Sequence, residues 1–103
     1  MNKEIIVKTY QDMQQECAPI YYKEIERFFA KGAMILIDDS LDIIKVALIF
    51  QDNATDKLQQ LMAEGKVIRV YDDYAKKWSQ GDTQLLAIAV VPWLLVQEID
   101  ANQ

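Results

Sequence analysis

The sequence contains no histidine, a single cysteine, three glycines and two prolines. Without histidine the chain cannot by itself assemble a Cys-His or Ser-His nucleophile, or a His-ligated metal site. With Cys17 alone, no disulfide can close within the chain. That fits a reducing compartment, so a cytoplasmic protein is expected. The glycines stand apart at positions 32, 65 and 81, which leaves no glycine-rich loop to cradle a phosphate, and no cofactor is expected. Positive charge is also scarce: 11 Lys and Arg face 16 Asp and Glu, for a net charge of −5. The acidity is spread along the chain, and no basic cluster exceeds the pair Lys76–Lys77. Nucleic acid and anionic membranes both need a cationic stripe that displaces counterions, so neither is an expected partner. A basic protein or peptide stays compatible. The most apolar stretch, Leu85 to Ile99, is too short to span a bilayer and is interrupted by Pro92. Residues 1–16 have no apolar run of signal-peptide length.

What is present is the composition of a globular protein: 51% hydrophobic and 26% charged over 103 residues, the size of one ordinary domain spanning 1–103. Residues 3–16 place Ile5, Ile6, Tyr10 and Met13 near one helical face, with Glu4 and Lys8 four apart on another. Pro19 suits the first turn of a second helix carrying Tyr21, Ile25, Phe28 and Phe29, with Gly32 at its end. Met34–Ile37 is a short apolar run that stops at Asp38-Asp39-Ser40, a turn sequence. Ile43 to Phe50 is rich in β-branched residues and apolar on both faces except for Lys45. The two runs predict an antiparallel hairpin whose second strand lies inside the sheet. Asn53 predicts a helix cap with Asp56 at the third helical position, followed by Leu58, Leu61 and Met62 and closed by Gly65.

Val67 to Val70 reads as a short strand, and Asp72 as the cap of a helix holding Tyr74, Ala75 and Trp78 with Gly81 behind it. Leu85 to Val91 is a strand apolar on both faces, Pro92 interrupts its ladder, and Trp93 to Gln97 continues as extended chain. The expected fold is α+β: a small, mainly antiparallel sheet of three to four strands covered by about four helices.

Five segments, in this order and spacing, carry a resemblance. They are Phe28 to Asp38 (FFAKGAMILID), Ser40 to Leu48 (SLDIIKVAL), Asp52-Asn53, Ala75 to Trp78 (AKKW) and Pro92 to Gln97 (PWLLVQ). Together they resemble the short bacterial proteins grouped as domain of unknown function 2288, over most of the chain from Pro19 to Gln97. The resemblance implies a small bacterial α/β protein and carries no activity, substrate or catalytic residue onto this sequence.

Candidates for chemistry are few. Asp38, Asp39, Asp42, Asp52 and Asp56 surround the predicted hairpin, and hard cations take such oxygen ligands. Asp38 and Asp42 are the metal candidates, because Asp52 falls a strand length away from them. No D-x-D-x-D-G loop is present, and turn and cap roles account for all five. Cys17 sits just before the predicted second helix, where a thiol pKa can fall, but packing as a small hydrophobe is the commoner fate. Among the aromatics, Tyr22, Trp78 and Trp93 are the candidates for surface use in an interface. Gln97 is either a buried polar group that orients something or the point where the strand leaves the core. No catalytic residue is assigned. The sequence favours a non-enzymatic interaction module that forms a homodimer or binds a protein partner. A carboxylate-dependent metal enzyme and a small-molecule sensor are the alternatives. The sensor requires a closed apolar pocket with a few polar groups aimed inward.

Overall fold

A computed structural model describes residues 7–99. Thr9 starts α1 (Tyr10–Glu16) through a reciprocal capping box with Asp12, each side chain bonded to the other's backbone N–H. The predicted helix over 3–16 is therefore shorter at its start, since Val7 to Thr9 are not helical; Ile5 and Ile6 lie outside the described residues. Ala18–Tyr21 forms β1, where a helix start was predicted at Pro19. The missing N–H of proline suits an edge strand equally well, and β1 lies at one edge of the sheet. Helix α2 (Tyr22–Ala30) follows and ends at Gly32, whose φ of 71° lets the Gly32 and Ala33 N–H groups reach back to the carbonyls of Phe29 and Phe28.

Met34–Ile37 is β2, as predicted, and all four residues are buried. The next element corrects the predicted hairpin: Ile43–Gln51 is a helix, α3. Asp42 caps it by accepting the Ile44 N–H at 2.9 Å. As a strand, the segment would have put Lys45 on the same face as Ile43 and Ala47. As a helix it buries Ile43, Ile44, Val46 and Ala47 together and turns Lys45 to solvent. Asn53, predicted as a cap for the following helix, instead closes α3. It takes a φ of 53°, and the N–H groups of Asn53 and Ala54 bond back to Phe50 and Ile49. Helix α4 (Thr55–Ala63) then starts from Ala54 with no side-chain cap.

Strand β3 (Val67–Arg69), helix α5 (Asp72–Trp78) and strand β4 (Gln84–Val90) stand where predicted, within a residue. Tyr71 rather than Asp72 occupies the cap position of α5. Trp93–Glu98 is a full strand, β5, paired antiparallel with β4 across the turn at Val91–Pro92.

The described residues thus form five strands and five helices, one more of each than the upper expectation, and the class is α+β. Strand order is β1-β4-β5-β2-β3, antiparallel except for the parallel pair β2/β5. Side-chain alternation divides the core in two. One face gathers Ile35, Ile37, Val67, Ile88 and Leu95 under Met13 of α1 and Ile43, Ile44, Val46 and Ala47 of α3. The other gathers Met34, Leu36, Leu85, Leu94 and Val96 under Tyr22 and Ile25 of α2 and Trp78 of α5.

Candidate functional site

The first face is incompletely roofed where β3 and the β4–β5 turn meet the end of α3. Ile35, Val67 and Arg69 come from the sheet, Phe50 and Asn53 from the end of α3, Leu58 and Met62 from α4, and Val90 to Trp93 from the turn. They enclose a half-open cleft of about 440 Å³, within the range of roughly 300–1,000 Å³ usual for small-ligand sites. Its rim carries apolar side chains in water: Val91 is 89% exposed and Met62 is 55% exposed.

The antiparallel register sets Arg69 directly opposite Ile35, on the same face as Val67 and Trp93. Its guanidinium lies over the Trp93 ring, 5.4 Å from the centroid, a cation–π contact that fixes a positive charge at the cleft wall. Among the described residues, Arg69 is the one charged side chain lining the cleft, and no carboxylate of theirs pairs with it.

Of the three predicted interface aromatics, the structure brings only Trp93 to this cleft. Tyr22 and Trp78 are corrected to core residues, 2% and 1% exposed. Their rings meet at 5.7 Å between α2 and α5, and Tyr74 extends the row at 5.4 Å from Trp78. The Trp78 indole N–H donates to Glu98 at 3.0 Å, and Lys77 reaches the same carboxylate oxygen at 2.8 Å. Burial opposes ionisation of Glu98, but the bonds from Lys77 and Trp78 outweigh it and hold its carboxyl below the usual range.

The metal candidates are engaged in turns and caps. Asp38 accepts from the Ser40 hydroxyl and the Ser40 N–H, which lower its pKa. Asp42 caps α3 through one oxygen and accepts the Tyr10 hydroxyl at 2.6 Å through the other. Burial pushes its pKa up, while Tyr10 and the Ile44 and Lys45 N–H groups bring it below normal. Among the described residues, no group of three potential ligands is placed to hold a metal ion. Cys17 follows α1 as its C-cap instead of starting a helix, and burial, with Asp42 nearby, pushes its thiol pKa up. That is opposite to the direction an activated thiol needs. Gln97 is half-buried, and its amide donates to the carbonyls of Asp38 and Leu41, tying β5 to the β2–α3 loop.

Sequence reading missed Arg69, Phe50 and Val91. Arg69 had a signal: one cation at the end of an apolar strand, two residues from Val67 and so on the same face. Phe50 and Val91 had none, because their place depends on α3 being a helix and on β4 and β5 forming a hairpin.

The sequence pattern of a family described as "Protein of unknown function (DUF2288)" matches residues 8–98. The NMR solution structure of PA1075 from Pseudomonas aeruginosa is similar to this chain, with a TM-score of 0.80 and 28% identity over 99% of this chain and 97% of that one. No curated protein matches. The family pattern runs across all five strands and five helices of the described residues, and the chain belongs to the DUF2288 family.

Proposed function

We propose that this protein is a small one-domain, non-enzymatic interaction module of the bacterial cytoplasm that self-associates through the rim of the cleft. The carrying observation is the adjacency of a projecting apolar tip and an apolar hollow: Val91, 89% exposed, stands beside the cleft lined by Phe50, Leu58 and Trp93. A two-fold rotation would seat the turn of each copy against the hollow of the other, the self-complementary arrangement that a symmetric dimer requires. Desolvating Val91 and Met62 supplies the driving force, and the Trp93 ring held by Arg69 supplies a rigid surface. The engaged carboxylates of Asp38 and Asp42 and the raised pKa of Cys17 favour a binding role over chemistry. The single cysteine supports the cytoplasmic setting, and the charge of −5 favours a protein over nucleic acid or an anionic membrane.

Light scattering at micromolar concentration is expected to give about twice the chain mass. Val91→Asn is expected to return the monomer with the far-UV spectrum unchanged. A wild-type protein that stays monomeric at high micromolar concentration refutes the dimer.

A further inference from the structure

We infer that the cleft is a receptor for a small amphipathic anion, an aliphatic chain ending in one carboxylate, with the carboxylate at Arg69 and the chain over Ile35 and Phe50. Three observations carry this. The cavity, about 440 Å³ and half open, has the size of a small-molecule site and a predominantly apolar lining. Among the described residues the only charge on that lining is Arg69, which the Trp93 ring holds in place and none of their carboxylates neutralises. This pocket of one positive charge lies in a chain of net charge −5, so the attraction for an anion is local and chosen by position, not by the overall field.

Orientation follows from the opposite wall. Phe50 and Asn53 stand at the carboxyl-terminal end of α3, where the helix dipole is negative and disfavours an anion. The head group is therefore directed to Arg69 on β3, and the hydrocarbon to the side formed by α3 and α4. Arg69 is exposed and can form the forked pair of hydrogen bonds that a carboxylate accepts without giving up its stacking on Trp93.

The test compares octanoate, octanol and octylamine, all eight-carbon amphiphiles, by NMR titration of the whole 103-residue chain below their micellar concentrations. Octanoate should shift the Trp93 indole and the Ile35 and Phe50 amides, and bind about tenfold more tightly than octanol, the gain expected of one charge-assisted pair. Octylamine should bind most weakly. Arg69→Gln should erase the difference between octanoate and octanol, and Arg69→Lys should restore part of it. Equal binding of octanoate and octanol to the wild type overturns the proposal. So does a preference for octanoate that survives Arg69→Gln, or the absence of any shift at Trp93. Octanoate and the turn of a second copy would fill the same hollow, so competition separates the two readings: saturating octanoate should lower the scattering mass toward that of one chain, selective octanoate binding that leaves a dimer mass unchanged refutes the dimer seating, and a dimer mass with no octanoate selectivity refutes the ligand site.

Discussion

Glu98 joins two tryptophan-bearing elements at a single carboxylate oxygen, taking the Trp78 indole N–H and the Lys77 ammonium from α5 while it belongs to β5. Glu98→Gln keeps an acceptor for the indole but loses the ion pair. A charge-assisted hydrogen bond contributes about 1.5–3 kcal/mol. Partial solvent exposure of both partners reduces the expected loss at neutral pH to about 1 kcal/mol. The sign of the pH dependence follows from the depressed pKa of Glu98. Its stabilisation is fully present above the unfolded glutamate pKa, about 4.3, and disappears as pH falls through the lower folded value. Urea unfolding of wild type and Glu98→Gln should therefore differ at pH 7 and converge as pH falls below about 4. A difference that grows on acidification contradicts the assignment. Asp38 and Asp42 make a second residue-level prediction. Their oxygens already accept hydrogen bonds from Ser40, Tyr10 and the α3 backbone, so millimolar Mg²⁺, Ca²⁺ or Mn²⁺ should leave Tm unchanged. A saturable rise that Asp42→Asn abolishes would reinstate a metal site.

At the scale of elements, the decisive segment is Ile43 to Phe50. Its composition favours a strand, since β-branched residues pack well on a pleated surface. Two features overrule that preference. Asp42 offers its side chain to the Ile44 N–H and so starts a helix. Only helical spacing puts all four buried residues on one side and Lys45 on the other. Neighbouring substitutions separate the readings. Ile44→Ala should cost about 3 kcal/mol, because the side chain is 6% exposed in a packed core. Lys45→Ala should fall within about 0.5 kcal/mol of wild type. In a strand, Lys45 would share a face with Ile43 and Ala47. Comparable costs at the two positions, measured by chemical denaturation, would rule out the helix. Asp42→Ala should cost about 1 kcal/mol through loss of the cap, and Asp42→Asn much less.

Over the whole molecule, β5 lies between β4 and β2 at the centre of the sheet, while β1 and β3 form its edges. Leu94, Leu95 and Val96 are buried from both sides by the two helical layers. Their amides should exchange with solvent only on global unfolding, and those of β3, three residues long with one open side, should exchange sooner. Slower exchange in β3 than in β5 would mean that the strand order is different. The edge position of β3 also leaves Arg69 and the cleft at the margin of the core, where a ligand or a second copy can reach them without opening the fold.

Local chemistry was enough for part of this. The α+β class, the β2, β3 and β4 segments, α5 and the terminations at Gly32 and Gly65 follow from apolar periodicity and from the left-handed backbone that glycine tolerates. The absence of histidine likewise excludes catalytic and metal sites that need it, whatever the fold. Trp93 was legible as a surface candidate because it follows a proline that interrupts the ladder. The cleft was not legible, because its walls come from β2, β3, β4, β5, α3 and the α4 helix beyond it, spread from Ile35 to Trp93. Tertiary packing decided that Tyr22 and Trp78 are core and that Arg69 meets Trp93, and it joined the local Asp42 cap in making Ile43–Gln51 a helix. The physical reason is common to all three. Periodicity records which side of an element is apolar, but what that side faces depends on partners distant in the chain, here two helical layers that cover opposite faces of one sheet.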